Sequence, residues 1–195
     1  MIKIVTDSTC NLNLFPELLQ KHDIRVAPVS IQFGTETYEE DIDIDRELLY
    51  KRIDELGIIP TSSQPSPGRF ADYYRELTDQ GHSILSITIT SKHSGTYQSA
   101  VLAKDMVPEA DVEVFDSLTI SFGTGYMVLE AARAAEAGQS RENILKRLEE
   151  IRDNMYLGLT PATLKYLQMS GRVGRWSNSG TKKRKNLFVS ILKMC

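Results

Sequence analysis

Residues 61–68, TSSQPSPG, place four hydroxyl groups and one side-chain amide beside two prolines, and residues 91–100, SKHSGTYQSA, supply a second dense set of hydroxyls. Neutral donors of this kind suit an anion. A carboxylate taken out of water is costly unless its lone pairs are met, and charge-assisted hydrogen bonds contribute about 1.5–3 kcal/mol each. Hydroxyls meet that need without adding charge. Gly95, set before a helical pattern that starts at Thr96, lets main-chain N–H groups approach a ligand closely, and a helix N-terminus favours negative charge. Either cluster alone also reads as a capped turn. Two clusters at strand ends on one sheet edge point to a site.

Other chemistries fit these residues less well. A serine hydrolase built on Ser94 needs a base within about 3 Å, and the adjacent His93 points away from its neighbour on an extended or turning backbone. KHSGT also lacks the first glycine of the nucleophile elbow. GTGYMV has Gly123 and Gly125 but Val128 where a dinucleotide fingerprint needs its third glycine. Cys10 and Cys195 lie near opposite ends without metal spacing, and the three histidines form no ligand pattern, so free thiols and no metal site are expected. The acidic run GTETYEEDIDID lacks the EF-hand spacing and its glycine, and reads as a solvated loop.

The chain of 195 residues has a net charge of −3, but residues 171–195 hold seven of the 23 Lys and Arg and no acid. The body is therefore acidic and poorly suited to nucleic acid, which is bound by neutralising phosphates. Only the tail, with its KKRK, offers a nucleic-acid alternative. No apolar run approaches the roughly 20 residues of a membrane span. Met1–Thr6 is too short for a signal peptide, and a soluble, cytoplasmic protein is expected.

Several elements must position the hydroxyls. Short β-branched runs alternate with helical patterns, the mark of an α/β fold with an open, largely parallel sheet and helices on both faces. IKIVT is a first strand ending at Asp7, Ser8 and Thr9; NLFPELLQKH is a helix with Pro16 in its first turn; IRVAPVSIQF is a second strand. A helix from near Asp45 to Leu56 precedes the first hydroxyl loop, and Ser66-Pro67 caps a helix that stops at Gly81. SILSITIT is a central strand leading into the second loop, with TYQSAVLAKDM helical after it. VEVFDS is a strand ending at Asp116 and Ser117; helices through YMVLEAARAAEA and from Ser140 follow. MYLGLT opens a new sheet and PATLKYLQMSG is a short helix. The three polar strand ends all face the crevice where open parallel sheets bind ligands.

VTDSTCNL, PTSSQPSPGRF, SKHSGTYQSA, VFDSLTISFGTGYMV and TLKYLQMSGRVGR, in this order over roughly residues 1–175, resemble the DegV family of bacterial fatty-acid-binding proteins, which includes the lipid-carrying subunit of fatty acid kinase. The resemblance implies a long-chain fatty acid in an apolar tunnel, with no other cofactor. Its carboxylate would be held by Ser62, with Ser63 beside it, and by Ser94, with Gly95 and Thr96 in the same turn. Asp7, Ser8, Thr9, Gln64, Asp116 and Ser117 would support the site, and Arg172 matches the family's Gly-Arg. Family members usually have threonine where this chain has Ser62, and a lysine is missing before Gly171-Arg172, with Gln168 nearby. Burying some fifteen methylenes at about 0.8 kcal/mol each gives a gross drive on the order of 12 kcal/mol before ordering costs. Chemistry would belong to a partner kinase that brings ATP and magnesium.

The resemblance further implies an α/β domain over residues 1–155 and the start of a second domain over 156–195. Past Gly171-Arg172 the family continues into an apolar stretch and a second sheet, whereas this chain gives WSNSGTKKRKNLFVSILKMC. That tail is expected to be a frameshift or truncation product, leaving the second domain cut short.

Overall fold

The computed structural model describes residues 1–158. By its contacts the chain separates into Met1–Arg152 and Asp153–Cys195. Of the strand expected at MYLGLT, residues 155–158 are described and form no strand; Leu159, Thr160, the PATLKYLQMSG helix, Arg172 and the basic tail lie outside the described residues.

The first unit is built on a sheet of four parallel strands: β1 (Ile2–Asp7), β2 (Arg25–Ala27), β6 (Ser83–Thr88) and β7 (Val112–Asp116), in the order β2-β1-β6-β7. Pairings such as Thr6 with Val26, Ile4 with Leu85 and Ile87 with Phe115 fix the register. From β1 the chain steps outward to β2, and from β6 outward the other way to β7. The order therefore reverses between β1 and β6, where an open sheet leaves a crevice beyond the carboxyl ends.

Alternation along the strands feeds two apolar layers. Val5, Ala27, Ile84 and Val112 pack with Phe70, Ala71, Tyr74 and Leu77 of α3 (Pro67–Asp79) and with Ala100 and Ala103 of α4 (Thr96–Met106). Ile4, Leu85 and Ile87 bury themselves on the other face, towards α5 (Phe122–Glu136), which buries Met127, Val128 and Ala131. Helices thus cover both faces, as the periodicity predicts. α1 (Pro16–Lys21) begins on its proline, and α6 (Arg141–Asn154) ends the described helices.

Three segments differ from expectation. IRVAPVSIQF is two strands, because Pro28 supplies no N–H to continue the ladder. Its first half is β2; its second half, β3 (Ser30–Phe33), leaves for another sheet. The acidic run is no simple loop: Glu36–Glu39 forms β4, antiparallel to β3. The first hydroxyl segment is also a strand, β5 (Thr61–Ser63), antiparallel to the other side of β3. This second sheet, β4-β3-β5, packs Ile31 and Phe33 with Ile44 and with Leu49 and Ile53 of α2 (Arg46–Leu56).

Candidate functional site

The carboxyl edge of the parallel sheet is held by its own polar side chains. Asp7, fully buried at the end of β1, accepts hydrogen bonds from the Ile89 N–H (2.9 Å), the Thr9 N–H (3.1 Å) and the Thr9 hydroxyl. It thereby spans the β1–β6 reversal. Burial pushes its carboxyl above the ordinary value of 3.8, partly opposed by those donors. Asp116 does the same between β6 and β7, accepting from Ser91 N–H and Leu118 N–H, each at 3.1 Å. Ser117, fully buried, accepts from Thr119 N–H at 3.3 Å and lies 3.1 Å from the Thr124 hydroxyl of α5.

Ser8 joins the two sheets. Its hydroxyl donates to Glu40 Oε2 at 2.5 Å and accepts from the Val29 N–H at 3.0 Å, while the Glu40 N–H donates to Val29 O. Burial raises the Glu40 carboxyl above its usual range, with the Ser8 hydroxyl opposing. Asp7, Ser8, Thr9, Asp116 and Ser117, all expected at the edge, are there, and the bonds they make fasten loops.

The second hydroxyl segment is a tight turn into α4. Ser94 Oγ lies 2.8 Å from Thr96 Oγ1 and accepts from the Thr96 N–H at 3.3 Å. Gly95 is the residue before the helix, and Thr96 is fully buried. The positive end of an eleven-residue helix therefore points at Ser94. His93 is exposed, and its N–H donates to Thr90 O.

In β5, Ser62 pairs with Ile31 and Ser63 with Ser30. Opposed residues of antiparallel strands share a face, so Ser62 lies on the face that α2 covers and Ser63 on the other. Adjacent in sequence, they do not form one cluster. Both are exposed.

Gln64 brings the two segments together. Its amide approaches Gly95 so closely that a Cβ there would stand 2.8 Å from Nε2. Nothing in spacing or hydropathy marks that contact. Gly125 is a second close approach: a Cβ there would meet the Cys10 carbonyl oxygen at 2.5 Å, so α5 lies directly on the turn after β1. The glycine pair of GTG thus lies inside a helix.

Cys10 is a buried free thiol, raised to about 12 by burial. Among the described residues no group of three His, Cys, Asp or Glu is arranged to hold a metal ion, and no helix is long and apolar enough to cross a membrane.

A family model described as an uncharacterised protein of the DegV family matches residues 1–179. A DegV domain-containing protein of Clostridium perfringens is 38% identical over 191 residues, 98% of this chain and 65% of its own length. One from Clostridium acetobutylicum is 41% identical over 175 residues, 89% of this chain and 62% of its own. This chain thus spans less than two thirds of the curated relatives it matches. Among solved structures, a stearic acid-binding protein from Eubacterium ventriosum superposes with a TM-score of 0.84 at 33% identity, covering 94% of this chain and 64% of its own. Bacillus subtilis DegV, described as a fatty acid binding protein, gives 0.82 at 35%, covering 88% and 60%. A Thermus thermophilus DegV family protein whose structure is described by its fatty acid binding gives 0.80 at 37%, covering 89% and 61%.

Proposed function

The chain belongs to the DegV family, and from that footing we propose that it is a carrier that binds one long-chain fatty acid by its carboxylate at the carboxyl edge of the parallel sheet. Ser94 and Ser62 donate their hydroxyls to the acid, Gly95 and Thr96 shape the turn, and the N-terminus of α4 supplies partial positive charge. Asp7, Ser8, Thr9, Asp116 and Ser117 keep the strand ends in place. A partner kinase in the cytoplasm transfers its phosphoryl group to the exposed side of the carboxylate, and Arg172, which lies outside the described residues, is assigned to that step by the family's Gly-Arg alone. The protein itself supplies no chemistry and no further cofactor.

The approach of Gln64 to Gly95 supports this reading most, since it sets the two hydroxyl segments side by side. A serine hydrolase is disfavoured by Ser94's engagement with Thr96 and by the exposure of His93.

Native mass spectrometry of the full chain purified from bacterial cells tests the proposal. A co-purified long-chain acid is expected, and Ser94→Ala and Ser62→Ala should each weaken palmitate binding about tenfold or more, the loss of one hydrogen bond to a charged group. Failure of the stripped protein to bind palmitate, or labelling of Ser94 by a fluorophosphonate, would overturn it.

A further inference from the structure

Gly95 sits at φ −79° and ψ 3°, a conformation open to residues with side chains, so the backbone does not demand glycine there. The neighbour does. A Cβ at position 95 would stand 2.8 Å from Nε2, 3.0 Å from Cδ and 3.3 Å from Oε1 of Gln64. All three amide atoms are close, so Gln64 presents the face of its amide to Gly95, not one tip.

The main chain on the Gln64 side is restrained. Pro65 and Pro67 fix φ on either side of Ser66, Pro65 is buried, and Ser66 Oγ accepts from the Arg69 N–H at 3.2 Å to cap α3. On the other side β5 has few restraints of its own. It is three residues long, exposed throughout, and among the described residues pairs only with β3.

We propose that Gln64 is a positioning residue whose side chain, packed against Gly95, sets the spacing between β5 and the Ser94 turn, so that Ser62 and Ser94 reach the same carboxylate. The inference rests on the binding proposed above. An alanine at 95 would not unfold the chain, because the amide at the end of a flexible side chain swings aside. It would release β5 from the turn.

A double-mutant cycle on the full chain tests this, with palmitate titration and thermal unfolding as readouts. Gly95→Ala and Gln64→Ala should each lower palmitate affinity about tenfold with little change in melting temperature, and the double variant should be no worse than either. Gln64→Met, which keeps the bulk without the amide, should bind within about threefold of the parent. Independent, multiplying effects in the cycle would overturn the inference, as would a Gln64→Met variant as weak as Gln64→Ala. Should the parent bind no palmitate, the functional reading fails by itself. Amide exchange then decides the positioning role: both single variants must speed exchange at residues 61–63, and unchanged exchange refutes it.

Discussion

At the residue scale, the acids and hydroxyls divide by what they already hold. Asp7 is committed to Ile89 and Thr9, and burial keeps its carboxyl above the ordinary 3.8. Its folded value is the higher one, so between the two values the unfolded chain binds fewer protons. The stability it contributes is complete below about pH 4 and is lost as pH rises through its folded value. Glu40 has the same sign, whereas Asp23 and Asp111, lowered by hydrogen bonds from Lys3 and Arg141, act oppositely and are lost on acidification. Comparing the parent with Asp7→Asn cancels those other groups. Urea unfolding should show the parent losing ground to the variant from pH 4 to pH 7; a difference that stays flat contradicts this account. The polar strand ends were legible because acids and hydroxyls directly after an apolar, β-branched run mark where a strand stops. Gln64 carries no such mark in the sequence, since the residue it approaches, Gly95, has no side chain.

At the element scale, helices and parallel strands followed their periodicity, and the Ser66-Pro67 cap stands where sequence placed it. The second sheet did not emerge. β4 carries Glu36 and Glu39 and β5 is three hydroxyl residues, so neither shows the apolar alternation that marks a strand; β3 alone provides the buried Ile31 and Phe33 on which both depend. Gly125 raises a conflict between element and packing. In an isolated helix Gly→Ala gains about 1 kcal/mol, yet here the new methyl meets the Cys10 carbonyl, a backbone atom that cannot swing away. Overpacking of that kind costs about 1–3 kcal/mol. Gly125→Ala should therefore lower the melting temperature by a few degrees, about 2–4 °C per net kcal/mol. A higher melting temperature would show that α5 shifts freely over the turn.

At the scale of the whole molecule, the family and the α/β architecture were legible because five separated motifs kept their order, and order survives substitutions that blur any one of them. The second domain expected over 156–195 lies almost wholly outside the described residues, and the chain covers 65% and 62% of the lengths of the two Clostridium relatives. A ligand that binds only the folded chain must stabilise it. At a free palmitate concentration roughly a hundred times Kd the gain is about 2.7 kcal/mol. Removing lipid from the purified protein should lower its melting temperature by several degrees, and restoring palmitate should return it. A chain indifferent to palmitate in this measurement is not a carrier.

The bond from Asp7 to Ile89 crosses 82 positions, and β1 has its other long partner, β6, over the same interval. On the ribosome, the first strand must therefore wait, unpaired on that side, until most of the next hundred or so residues have emerged. Contacts of such long reach make for slow, late closure of the chain. The crevice between β1 and β6 therefore cannot form until β6 has emerged, and a nascent fragment that stops before Ile89 lacks the N–H that Asp7 accepts there.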